Sequence, residues 1–196
     1  MRTFLFDLDG TITKKELLPE IGRACGLYKE IAALTRETIA GSIPFHESIR
    51  RRVDILKQVP ISTVRKIVNS IPLNEPLLQF IREHRNRCVI ITGNLDVWVK
   101  ELCSRIVDRV FYSEAEADGD RLIGLRSILN KADAVKKIKG PIVVVGEGNN
   151  DVGMFEVAEV GIACGSLHEP ASSVMERATH VIYNDATLCT FLKQLS

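Results

Sequence analysis

Phe6-Asp7-Leu8-Asp9-Gly10-Thr11 places two carboxylates one residue apart, directly after a short apolar run. Alternation in an extended chain points Asp7 and Asp9 the same way. Two like charges so close repel unless a cation or a shared proton relieves them. In isolation the pattern is also compatible with an ordinary acidic loop. A second apolar run, Val89-Ile90-Ile91-Thr92-Gly93-Asn94, ends in a hydroxyl and a glycine, so the Thr92 side chain and nearby amides can meet an anion before the next helix. Asn94 there also suits a helix cap. Lys131 opens a later helical pattern, where a lysine either neutralises phosphoryl charge or is simply solvated. Val145-Gly146-Glu147-Gly148-Asn149-Asn150-Asp151 carries two acids four residues apart, with glycines that permit close ligand approach. Oxygen donors from separate strand ends suit Mg²⁺, a hard ion that takes a few carboxylates plus water and phosphate oxygen.

Positioning these groups requires a scaffold whose strands end side by side. Thr3-Phe6, Cys88-Ile91, Ile142-Val145, Val160-Ala163 and His180-Tyr183 read as buried parallel strands. Between most of them, Glu75-His84, Leu95-Val107, Lys131-Lys139, Asp151-Glu159 and Glu169-Arg177 carry apolar residues at helical spacing, and Thr187-Leu195 closes the chain. The alternation predicts an open α/β sheet, a Rossmann-like parallel-sheet core. Residues 13 to about 73 break it, with amphipathic helical segments and no convincing strand. Gly22, Gly26, Gly41, Pro44, Pro60, Pro72 and Pro76 divide this stretch into about four helices. The expected organisation is a core of 1–12 and 74–196 with a small helical cap, 13–73, inserted after the first strand. Such an insertion can sit over the strand ends, where ligands bind in these sheets.

Composition removes several function classes. The 196 residues suffice for one medium domain or a core with a small insertion, and 45% apolar with 26% charged residues is ordinary globular usage. A net charge of +1 with interleaved signs gives no general drive toward nucleic acid or an anionic membrane. Cys25, Cys88, Cys103, Cys164 and Cys189 are odd in number without CxxC spacing, which argues against a disulfide framework or a zinc site. The start turns acidic by residue 7, too early for a signal peptide, and no apolar run approaches the roughly 20 residues of a membrane span. The expected compartment is the cytoplasm, and the expected state a monomer or homodimer.

The four elements, in this order and each at a strand end or helix start, resemble the haloacid dehalogenase superfamily over nearly the whole chain, and within it the phosphoserine phosphatases. The resemblance implies that Asp7 accepts a phosphoryl group, while Asp9 protonates the leaving alcohol and then activates water. It implies that Thr92, the Gly93 backbone and Lys131 hold phosphoryl oxygens. Mg²⁺ would be held by Asp7, the Asp9 carbonyl and Glu147, with Asn150 and Asp151 in support of the metal and its water. Glu16 and Arg52 match the residues that grip the amino and carboxylate groups of the substrate, although a solvated helix surface would also account for both. The implied substrate is a small phosphorylated metabolite, O-phosphoserine first, which places the chain in serine biosynthesis. Phosphoryl transfer rests on positioning and charge neutralisation, and a carboxylate nucleophile splits hydrolysis into two steps.

Two features depart from the family pattern. Glu147 stands where the family usually has Asp, one methylene shorter. Leu167 and His168 lengthen the loop after Cys164, so that His168 either reaches the site or is a loop residue without a role. Alternative readings are a phosphatase or phosphotransferase for another small ester, and a catalytically weakened binding or regulatory protein, for which Glu147 is the motive. A phospho-acceptor signalling domain also combines aspartate, Thr or Ser, and Lys around Mg²⁺, but the acid pair flanking a single leucine and the helices after it do not suit one.

Overall fold

The computed structural model describes residues 1–39 and 41–196. Strand β1 (Thr3–Phe6) is followed by helices α1 (Leu17–Ala24), α2 (Tyr28–Ile39), α3 (Phe45–Leu56), α4 (Ile61–Asn69) and α5 (Glu75–Glu83). Next come β2 (Cys88–Leu95), α6 (Asp96–Ile106), β3 (Arg109–Asp118), β4 (Arg121–Ser127), α7 (Lys131–Val135) and β5 (Ile142–Gly146). The chain ends with α8 (Val152–Phe155), β6 (Val160–Cys164), α9 (Ser172–Met175), β7 (His180–Ile182) and α10 (Asp185–Leu195). Among the described residues the strands form one sheet in the order β4-β3-β2-β1-β5-β6-β7. Every neighbouring pair is parallel except β3 and β4.

The apolar runs are continuous because both faces of the sheet are covered. Phe4, Phe6, Ile90, Val143 and Val145 pack with Phe80 of α5, Leu102 of α6 and Leu188 of α10. The alternate residues Leu5, Val89, Ile91 and Val144 pack with Val135 of α7, Met154 of α8 and Val174 of α9. The two-residue period of a strand thus fills two cores at once. Phe4 meets Phe80 edge to face, with ring centroids 5.0 Å apart.

Helices α1 to α4 share the first core through Ile21, Ile31, Ile49, Val53 and Val64, beside Leu8 and Leu95 at the ends of the strands. The chain enters and leaves them through paired segments: Thr13 bridges Leu73, the Lys14 amide donates to Pro72 O (2.8 Å) and the Asn74 amide to Ile12 O (2.8 Å). Asp185, at the start of α10, ties both passages by accepting from Asn74 Nδ2 (3.0 Å) and pairing with Lys14.

Strands β3 and β4 are absent from the expectation, which held five strands. Their polar residues alternate along one exposed side, so no continuous apolar run marks them. The turn signal was present: Gly119 and Asp120 lie between Asp118 and Arg121, and Gly119 adopts φ 58°. A two-residue loop with glycine first is a hairpin turn. Three helices are shorter than the periodicity suggests: α7, α8 and α9 span five, four and four residues. For α9, Pro170 biases Glu169 away from helical backbone, and the helix begins only at Ser172.

Candidate active site

The ends of β1, β2 and β5 open into a cavity of about 460 Å³, roofed by side chains from the α2–α3 region. Asp7 follows β1 in extended backbone (φ −67°, ψ 161°). Asp9 is also extended (φ −66°, ψ 134°), within an irregular helical loop, Leu8–Ile12, that turns at Gly10 (φ 68°). Both carboxylates line the cavity, along with Glu147 from the loop after β5.

The charges are arranged unevenly around these acids. Lys131, buried at the start of α7, donates to Asp7 Oδ1 (2.6 Å) and to Asp151 Oδ1 (2.6 Å). Burial alone would lower its pKa, but Asp151 and Asp7 outweigh it and hold the ammonium charged. Burial, then Asp151, pushes the Asp7 carboxyl up to about 8 against the pull of Lys131. Burial, then Glu16, pushes Asp9 up to about 7, opposed by the Leu17 amide donating to Oδ1 (2.8 Å) and by Asn94. Glu147 rises to about 9 through burial, with Glu16 and Asp7 next. Its Oε2 is buried without a hydrogen-bond partner among the described residues. The carboxylates of Asp7, Asp9, Glu16 and Glu147 around one cavity, the last with an orphaned oxygen, form an oxygen-rich site short of positive charge.

Other sequence-predicted residues fall into two groups. Gly93 and Asn150 line the cavity, and the Phe45 ring lies against Gly93, filling the place of a side chain. Thr92 is fully buried beneath, accepting from the Asn94 amide (3.2 Å) and Asn94 Nδ2 (3.0 Å). Asp151, expected in the metal shell, does not line the cavity. Its Oδ1 takes the lysine, and its Oδ2 accepts the Glu147 amide (3.0 Å) and the Gly148 amide (2.9 Å). It braces the loop that carries Glu147.

Asn94, which by sequence suits a helix cap, sits inside β2, and Leu95 stands at the N-cap of α6. Between Ile91 and Leu95 the register with β3 shifts, an irregularity of the kind that re-aims side chains beside active sites. Asn94 Nδ2 thereby reaches Asp9 Oδ2. The only hint in the sequence was its place two residues beyond Thr92. Ser113 on β3, also unanticipated, donates to Gly93 O (2.8 Å) and fixes that turn from behind.

On the opposite wall, Arg52 of α3 is 7% exposed and donates Nη2 to Thr35 Oγ1 (3.1 Å). Its Nε is buried without a partner among the described residues. Burial lowers its pKa, while Glu16 and Asp9 counter this, and guanidinium stays charged in any case. Glu16, just before α1, lies 3.6 Å from Nε2 of His168, whose pKa it raises. His168 lines the cavity from the loop after β6.

Residues 4–156 match the family model of haloacid dehalogenase-like hydrolases. The chain is 30% identical over 195 residues to a phosphoserine phosphatase of Methanocaldococcus jannaschii, covering 90% of this chain and 92% of the relative. It is also similar to a solved structure described as a phospho-aspartyl intermediate analogue of phosphoserine phosphatase, at TM-score 0.84 and 28% identity, covering 97% of each chain. A substrate-bound phosphoserine phosphatase complex superposes at TM-score 0.85 and 27% identity, covering 99% of this chain and 98% of that one. With an acid pair after β1, a lysine on Asp7 and acids at the end of β5, the chain belongs to the haloacid dehalogenase-like hydrolase family.

Proposed function

We propose that this protein hydrolyses O-phosphoserine, or a phosphate monoester of similar size carrying an amino-acid group, through an aspartyl-phosphate on Asp7. The observation that carries the substrate class is Arg52: a buried guanidinium lining the same cavity as the acid pair, its Nε without a partner among the described residues, asks for an anion. A carboxylate takes two parallel hydrogen bonds from such a group, and Glu16 across the cavity suits an ammonium. The relatives named above are phosphoserine phosphatases.

In this reading residues 13–73 form a cap over the core. Asp7 attacks phosphorus, and Asp9 gives its proton to the departing seryl oxygen. Asp9 then takes a proton from the water that attacks the aspartyl-phosphate, and release of phosphate restores Asp7. A carboxyl held at about 7 is suited to both roles near neutral pH. Asn94 and the Leu17 amide keep Asp9 aimed, and Lys131 orients Asp7. The Gly93 backbone and Asn150 on the cavity wall take the phosphoryl oxygens, with Thr92 holding Asn94 from beneath. The donor set fits Mg²⁺, since it is all oxygen and includes the orphaned Oε2 of Glu147. Asp7, Glu147 and the Asp9 carbonyl would hold the ion, which supplies positive charge against the carboxylates and the phosphoryl group. We place the reaction in the cytoplasm, a setting in keeping with five free cysteines.

The test is phosphate release from a panel of phosphorylated metabolites, with Mg²⁺ and with chelator. Phosphoserine should lead the panel in kcat/KM and lose turnover in chelator. A non-amino-acid ester leading by tenfold or more would overturn the substrate assignment.

A further inference from the structure

His168 takes no part in the acid-pair chemistry, yet it stands in the cavity next to two carboxylates. One donor atom each from Glu16, Glu147 and His168 lie within 4.8 Å of one another. Glu147 is 8% exposed, and its Oε2 has no hydrogen-bond partner among the described residues, so the cluster includes a residue with a buried, unsatisfied acceptor. The His168 loop is anchored to the Glu147 loop, where the Ala171 amide donates to Glu147 O (2.9 Å), and to the end of β7, where Tyr183 Oη donates to Glu169 Oε1 (2.7 Å). The arrangement is therefore more than an exposed acidic patch.

We propose that Glu16, Glu147 and His168 form a Zn²⁺ site, distinct in its ligands from the all-oxygen Mg²⁺ position and inhibitory when filled. Imidazole is a good donor for zinc and a poor one for Mg²⁺, which prefers carboxylate, carbonyl and water. Three protein ligands with a fourth position open to water or an anion is an ordinary zinc arrangement. Ligands roughly 2.0–2.2 Å from zinc stand about 3.4 Å apart in a tetrahedron. Closing the cluster from at most 4.8 Å to about 3.4 Å asks for up to roughly 1.4 Å of movement, which His168, 43% exposed, supplies more readily than buried Glu147. A bound zinc engages Glu147 away from the Mg²⁺ position and Glu16 away from an ammonium. The second of these effects rests on the proposed substrate, whereas the site itself does not.

Calorimetric titration of the metal-stripped protein with Zn²⁺ and with Mg²⁺ tests the site directly. One Zn²⁺ should bind per chain, at least tenfold tighter than Mg²⁺. His168→Gln should weaken Zn²⁺ by roughly 10- to 100-fold or more, since losing even a supporting partner of a metal ligand has that effect. Its Mg²⁺ affinity should move by less than threefold. Thermal melting of the variant checks that the loop change has left the fold intact. An unchanged Zn²⁺ affinity in His168→Gln overturns the proposal and leaves the histidine as an ion-pair partner of Glu16 only. Zn²⁺ binding that depends on His168 but does not raise KM for phosphoserine supports the site and instead overturns the placement of the ammonium at Glu16.

Discussion

Glu147 Oε1 occupies the space in which a side chain at Gly10 would begin: a Cβ on Gly10 falls 2.2 Å from it. Gly10 also holds φ 68°, where an L-residue costs about 1–2 kcal/mol. The nearest obstacle is the end of a flexible side chain, so Gly10→Ala should displace the carboxylate rather than the backbone. Thermal melting should fall by roughly 2–8 °C, and the Mg²⁺ concentration for half-maximal phosphate release should rise. An unchanged Mg²⁺ titration would show that the position of Glu147 over Gly10 is dispensable.

Glu147 itself gives the more direct metal test. Glu147→Ala removes a charged donor and should raise the Mg²⁺ requirement sharply. Glu147→Asp should lower that requirement or raise kcat, provided the loop braced by Asp151 has not adapted to the longer side chain. The measurement is a Mg²⁺ titration of turnover for the three proteins. If Glu147→Ala titrates like wild type, Glu147 is not a ligand.

Without metal, the stability of the protein should fall as pH rises. The carboxyls of Asp9 and Glu147 are held at about 7 and about 9, above their ordinary values of 3.8 and 4.5. The folded state thus binds these protons more tightly than the unfolded chain. The contribution is fully present below about pH 4 and is lost as pH climbs through about 7 and then about 9. Urea denaturation in chelator from pH 5 to 9 should show the decline, and saturating Mg²⁺ should flatten it. A stability that rises across this range would contradict the buried-acid account.

Asp7→Asn should abolish turnover while leaving circular dichroism unchanged, because an amide of the same shape is a poor nucleophile. Lys131 keeps its second partner, Asp151. Asp9→Asn should lose roughly 10²- to 10⁴-fold, the usual worth of acid–base catalysis. Turnover near wild type in Asp7→Asn would remove Asp7 from the role of nucleophile.

Arg52→Ala should lower kcat/KM for phosphoserine by about 10- to 150-fold, the equivalent of 1.5–3 kcal/mol for a charge-assisted bond, and much less for a plain aryl phosphate. Glu16→Gln should show the same selectivity. Equal losses on both esters would count against an amino-acid substrate.

Five strands and the run of helices between β1 and β2 were determined locally, because buried parallel strands need unbroken apolar runs and amphipathic helices need their period. Asp7, Asp9, Gly93 and Glu147 were legible for a related reason: parallel strands end side by side, so polar residues just past each end converge. The β3–β4 hairpin was harder to read, since a half-exposed edge alternates polar residues and only the Gly119-Asp120 turn marks it. Tertiary structure alone decided the rest. Asp7 and Lys131 are separated by 124 residues and meet at 2.6 Å, with Asp151 on the same ammonium. Asn94 reaches Asp9 because the register of β2 shifts, Arg52 lines the cavity because its helix shares the core with Leu8 and Leu95, and His168 stands beside Glu16 because the loop after β6 is tied to Glu147. Spacing along the chain encodes which way a side chain leaves its own element, whereas its partner is chosen by how separate elements pack, and no local pattern carries that information.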